Sequence, residues 1–188
     1  MKFRGLLFVT IIFLTSCYTQ RASTIVGYNY DKKKNQTDYF VFPYGSVSIP
    51  GEWTQTSYNQ GAKQQFFRNS DSITISVSFG PCNKYEFNKD NSKKGFEFLT
   101  AYYEWDSEYF VNNYRLNEEK VESNEKDNYI IWRTFGENNN TYWDTYFLFG
   151  EKKGFVSTFG IMKTDKWTEK EKIAFLKEMY LENIHSNE

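Results

Sequence analysis

The chain has 188 residues, with 23 Lys and Arg set against 24 Asp and Glu, and a net charge of −1. That length suits one domain, and so even a balance supplies no basic field to gather nucleic acid. The only histidine is His185, near the C-terminus, which excludes a His-based zinc site and leaves no Ser-His or Cys-His nucleophile pair.

The first residues carry Lys2 and Arg4, then an apolar run over 5–14, then Leu14-Thr15-Ser16-Cys17. As a helix that run spans about 15 Å, half of a ~30 Å hydrocarbon core. It is the size of a signal-peptide apolar region and too short to cross a membrane. The closing Leu14-Thr15-Ser16-Cys17 resembles the lipobox of bacterial lipoproteins. The resemblance implies that residues 1–16 are a signal peptide and that Cys17 is the lipidation site, carrying diacylglyceryl and palmitate-type chains. The expected partner of Cys17 is then the bacterial cell membrane or outer membrane, and no acidic run follows Cys17 to redirect the protein from a periplasm-facing site. Residues 17–38 are polar, with Lys32-Lys33-Lys34 at their centre, and read as a flexible tether. One globular domain is expected over 39–188. With Cys17 acylated, Cys82 has no intrachain partner and reads as a buried thiol.

Strands are expected at 39–42 and 46–49, where Val47 and Ile49 alternate with serines, and again at 64–69. Trp53 follows the Pro50-Gly51 turn and should close the core. Ile73, Ile75, Val77 and Phe79 alternate with Thr74, Ser76 and Ser78, giving one buried face and one hydroxyl face. From residue 94 the period changes. Phe96, Leu99, Tyr103, Phe110 and Tyr114 fall at helical spacings, with Tyr102 beside them, so a helix is expected over 94–113 with Ser92 as its N-cap. Strands resume at 115–125, a charge-guarded edge, then at 129–135, 141–149 and 155–162. In 141–149 both faces are apolar, so both are covered. Thr168, with Glu169 and Glu171 following, begins a last helix striped by Ile173, Leu176, Tyr180 and Ile184.

Strands, helix, strands, helix make an α+β fold: an antiparallel sheet of six to seven strands sandwiched by two helices. Gly45-Ser46-Val47-Ser48-Ile49-Pro50-Gly51-Glu52-Trp53 resembles the strand, Pro, small, x, Trp entry of PsbP-like domains. The mid-chain helix, the aromatic hairpin closing on Gly150-Glu151-Lys152-Lys153-Gly154 and the C-terminal helix are similar in order. The resemblance implies that fold over most of 39–188, and no family binding residue carries across to this sequence.

No metal, cofactor or catalytic set is expected. The acidic pairs Asp106/Glu108, Glu118/Glu119, Glu122/Glu125 and Glu169/Glu171 sit in charged runs and read as solvated faces. What stands out is aromatic content: 18 Phe, 15 Tyr and 5 Trp. Trp105, Tyr102, Tyr109 and Trp143 are the candidate contact aromatics, Trp105 first because it lies off its helix stripe. The reading is a non-enzymatic, membrane-anchored binding or accessory domain that contacts another envelope protein. The alternatives are an immunity or inhibitor lipoprotein against a periplasm-acting toxin or hydrolase, and a glycan- or lipid-binding module, which requires a concave patch of Trp and Tyr with polar neighbours.

Overall fold

The structure is a computed structural model and describes residues 24–185; the lipobox and Cys17 lie outside the described residues. Ten strands form two antiparallel sheets. The small sheet has the order β1 (Ile25–Asp31), β2 (Gln36–Phe42), β3 (Gly45–Pro50). The large one comprises β4 (Thr54–Asn59), β5 (Gln64–Arg68), β6 (Thr74–Pro81), β7 (Asn117–Asn124), β8 (Tyr129–Asn138), β9 (Thr141–Lys152) and β10 (Phe155–Ile161), in the order β4-β5-β6-β10-β9-β8-β7. Helix α1 (Gly95–Tyr114) covers one face of the large sheet. Helix α2 (Glu169–His185) and the small sheet cover the other. The α+β sandwich of seven strands between two helices is therefore what the residues build, with a second, three-stranded sheet added on the α2 side.

Two buried clusters lie back to back across the large sheet. On the α2 side Ile75, Val77, Tyr146, Leu148 and Phe159 meet Leu176, Met179 and Tyr180 of the helix and Tyr39, Val47 and Ile49 of the small sheet. On the α1 side Trp132, Phe147, Phe149 and Val156 meet Phe98, Leu99, Tyr102 and Tyr103. Each large side chain so buried contributes about 1.5–3 kcal/mol. Strand β9 feeds both clusters, Phe147 and Phe149 to one and Tyr146 and Leu148 to the other, as its two apolar faces require.

Local chemistry fixes the start of α2. The Thr168 N–H and hydroxyl donate to Glu171 Oε2 at 2.7 and 2.8 Å, and the Glu171 N–H donates back to Thr168 Oγ1 at 3.3 Å. This reciprocal cap is worth about 1 kcal/mol. Trp167 packs on Phe175 with ring centres 4.8 Å apart, stapling the first turn. Further along, the Tyr180 ring lies directly over Gly150, where a Cβ would come within 2.0 Å of it, and its hydroxyl donates to the Asn128 carbonyl at 2.8 Å. Asp144 of β9 ties helix to sheet. It accepts from Arg133 at 2.7 Å and from the buried Lys172 at 3.3 Å.

Several expectations are corrected. The segment 17–38 is no tether from Ile25 onward, because β1 and β2 pair as a hairpin. The lysine run is its turn: the Asp31 carboxylate accepts from the Lys33 and Lys34 N–H groups, and Asn35 takes the left-handed φ of 49°. Tyr28 then packs edge-on against Phe67. The hydroxyl face of β6 is not wet: Ser76 and Ser78 are buried, and Ser76 Oγ accepts from the Gln64 side chain at 3.0 Å. Strand β4 was hidden in a polar stretch. Ser92 does not cap α1; Lys94 holds that position without a side-chain bond, and Asn88 braces the approach by bonding to the Cys82 and Lys93 backbone. The buried face of α1 centres on Phe98, Leu99, Tyr102, Tyr103 and Ser107, displaced from the expected stripe through Phe96 and Tyr114.

Candidate functional site

Helix α1 does not lie flat on the sheet along its whole length. Between its middle turns and the strands β5, β6, β10 and β9 a cleft of about 580 Å³ opens, a volume suited to a small-molecule ligand. One wall is the helix itself, through Tyr102, Trp105, Asp106, Tyr109 and Phe110. The floor is the hydroxyl face of the sheet, Ser78, Thr145 and Thr158, with Phe147 beside them. The opposite wall is the β4–β5 turn at Asn59, Gly61 and Ala62, and Lys84 and Tyr85 line the cleft as well. The turn is held in shape by Asn59, whose Oδ1 accepts from the Gly61 and Ala62 N–H groups.

All four candidate contact aromatics line this one cleft. Trp105 and Tyr109 stand on its rim, 41% and 47% exposed. Trp143 is half-buried, its ring 5.6 Å from Tyr114, which in turn lies 5.7 Å from Tyr109. Tyr102 is no surface residue: at 6% exposure it lies deep in the cleft, 4.6 Å from the Tyr85 ring and 4.3 Å from Phe149. Its hydroxyl meets Thr158 Oγ1 at 3.4 Å, and burial pushes its pKa up. Of the other tyrosines of α1 and β9, Tyr103 and Tyr146 are buried and Tyr142 is exposed.

Asp106 departs most from expectation. It is not on a solvated face: its side chain lines the cleft, and burial pushes its carboxyl up to about 7 from an ordinary 3.8. Among the described residues it has neither an ion pair nor a hydrogen bond to hold it ionised. Its position in the helix could have marked it, since Tyr102 lies four residues before and Tyr109 three after, which puts the three on one face. Lys84 is also crowded. Burial lowers its pKa, and neighbouring Lys63 adds to this against an opposing pull from Cys82. Its Nζ lies 4.8 Å over the Tyr85 ring.

The other acids do not work in pairs. Glu118 accepts from the Tyr103 hydroxyl and Glu122 from Tyr129 and Lys177. Glu169 accepts from Tyr146 at 2.8 Å, and Glu171 is the helix cap. Cys82 is buried, and burial first, then Glu151, pushes its thiol up to about 12 against the weaker effect of Lys84; a thiol held there is a poor nucleophile. Among the described residues no three His, Cys, Asp or Glu side chains gather where they could hold a metal ion.

A second concavity, shallower and apolar, lies on the outer face of the small sheet between Ile25, Phe40, Phe42 and Pro43. Ile25, Phe40 and Phe42 are exposed, Phe42 by 62%.

No family model and no curated protein sequence matches the chain. Among solved structures, the chain is similar to the cyanobacterial PsbP (CyanoP) of Synechocystis sp. PCC 6803, with a TM-score of 0.47 and 12% identity over 90% of this chain and 96% of that one. A protein from Bacteroides thetaiotaomicron VPI-5482 gives a TM-score of 0.39 and 15% identity over 70% of this chain and 41% of that one. At such scores neither likeness bears on what the chain binds.

Proposed function

We propose that the protein is a membrane-anchored, non-catalytic binding domain of the bacterial cell envelope, and that it takes its ligand in the cleft beneath α1. The observation that carries this reading is the convergence of Tyr102, Trp105, Tyr109 and Trp143 with Asp106 on one concavity with a hydroxyl floor. A concave aromatic surface with polar neighbours is the geometry of the ligand-binding alternative, and a flat protein contact has no use for it. Contact with another envelope protein has a different surface available in the exposed Ile25, Phe40 and Phe42.

Thermal unfolding of the acylated protein against a panel of glycans, amines, amino acids and lipid headgroups tests the cleft. A true ligand at a hundredfold excess over its Kd stabilises the wild type by about 2.7 kcal/mol. The double variant Trp105→Ala/Tyr109→Ala removes two rim rings that are outside the buried core, so it keeps the fold but gains at most a small part of that shift. Equal shifts in both proteins, or none with any compound, would refute the cleft as the binding site.

The anchor has a separate test. Cys17→Ser removes the sulfur that would accept the diacylglyceryl group, so the variant keeps its leader and takes up no radioactive palmitate. Labelling that persists in the variant rules out acylation at Cys17.

A further inference from the structure

Resting on the reading of the cleft as a binding site, the geometry points to its ligand class: a small organic cation, a protonated or quaternary amine, held between the Asp106 carboxylate and the rings around it. Three observations converge. Asp106 sits between Tyr102 and Tyr109 on one helical face, with Trp105 adjoining, and the Tyr85 ring, which also lines the cleft, packs tilted against Tyr102 at 4.6 Å. Aromatic faces carry the negative lobe of the ring quadrupole, so such a surround attracts a cation and does nothing for an anion. The carboxylate is also uncommitted among the described residues, although Lys84 lines the same cleft. The lysine lies over the Tyr85 ring and makes no ion pair with Asp106. An arriving cation therefore displaces no internal partner. Finally, the floor offers only hydroxyls, at Ser78, Thr145 and Thr158, so the floor itself sets no positive charge against a cation, and Lys84 is the one cation among the lining residues.

The pH dependence follows. Burial holds the Asp106 carboxyl up at about 7. A bound cation favours the ionised form, so binding below that pH expels a proton, and affinity rises with pH until it levels above about 7. The groups facing Asp106 do not share this window. From α1 and the preceding turn they are Tyr85 and Tyr102, both pushed above the ordinary tyrosine value by burial, and Tyr109, raised by its bond to Tyr114. The sheet contributes hydroxyls; on the β4–β5 side Asn59 and Gln64 line the cleft uncharged, and Lys63 of the same turn acts on Lys84. Lys84 is the one remaining charged group in the cleft, and a Lys84→Met control separates its effect.

Choline, its neutral carbon isostere 3,3-dimethyl-1-butanol and N,N′-diacetylchitobiose make the test, with the acylated protein in detergent and binding read by Trp fluorescence and calorimetry. Choline should bind at least about tenfold more tightly near pH 8 than near pH 5.5, with proton uptake by the buffer at the lower pH. The isostere should bind at least about tenfold more weakly. Asp106→Asn should remove the pH dependence and most of the affinity, and Lys84→Met should leave the pH dependence in place. An isostere that binds as well as choline, or a disaccharide whose binding ignores Asp106→Asn, overturns the cation and leaves the cleft a site for neutral ligands. Failure of every probe at both pH values overturns the cation as well, and the thermal-unfolding panel then decides separately whether the cleft binds anything.

Discussion

Asp106→Asn will make the protein more stable above neutral pH and leave it unchanged in acid. The folded state holds this carboxyl at about 7 against an ordinary 3.8, so folding favours its protonated form. For a group raised on folding, the contribution to stability is fully present below the unfolded value, near pH 4, and is lost as pH climbs through about 7. A shift of this size corresponds to at most about 4 kcal/mol, and contact with water at the cleft mouth brings it to about 2–3 kcal/mol. Urea unfolding of the wild type should show the midpoint falling between about pH 4 and pH 8. The asparagine variant, which cannot ionise, should lack that fall and exceed the wild type at pH 8. A wild-type profile flat across this window, with no gain in the variant, would contradict the placement of Asp106.

Asp144→Ala should destabilise the protein by about 3 kcal/mol. Asp144 is the shared anion of Arg133 and Lys172, and the Lys172 side chain is only 5% exposed. Removing the carboxylate leaves an ammonium against the Tyr146 ring, 4.9 Å away, with no ion-pair partner among the described residues. Most of the loss comes from that stranded charge and little from the pair itself. Lys172→Met in the same background should therefore restore stability, since methionine can lie along the same path without a charge. Chemical denaturation of the two single variants and the double variant closes the cycle. Additive losses in the double variant would mean that Lys172 is not held by Asp144.

Strand and helix positions were legible where the pattern had one meaning. In β6, Ile75, Val77 and Phe79 alternate with hydroxyl residues, and period 2 fits nothing else. In α2, Thr168 and Glu171 stand at the spacing of a reciprocal cap. The burial of Ser76 and Ser78 was not legible, because a hydroxyl face reads the same when covered as in water. The β1 strand was masked by composition. Val26, Tyr28 and Tyr30 alternate, but the lysines that follow made the whole segment look solvated, and only Asp31 shows those lysines to be a turn. In α1 the difficulty is the reverse. Phe96, Phe98, Leu99, Tyr102, Tyr103, Trp105, Tyr109 and Phe110 ring the helix on several sides, so no single face is marked as inward. Asp106 therefore looked like one more surface acid. The far wall of the cleft comes from the β4–β5 turn, a polar segment whose partnership with α1 exists only through the sheet order.

The back-to-back arrangement of the two clusters makes the large sheet a partition. The chain enters β1 on the α2 side, and the cleft opens on the other. If Cys17 is acylated, the eight residues from it to Ile25 can pay out at most about 27 Å of chain. That lead would keep the β1 end of the molecule close to the lipid, with the side bearing Phe40 and Phe42 nearer the membrane than the cleft is. The mouth of the cleft would then look outward, beyond the sheet and a layer about 10 Å thick on either side of it. On that geometry a ligand of the cleft would arrive from the aqueous space and not from the headgroup layer, and an anchored protein would sample what diffuses past its membrane.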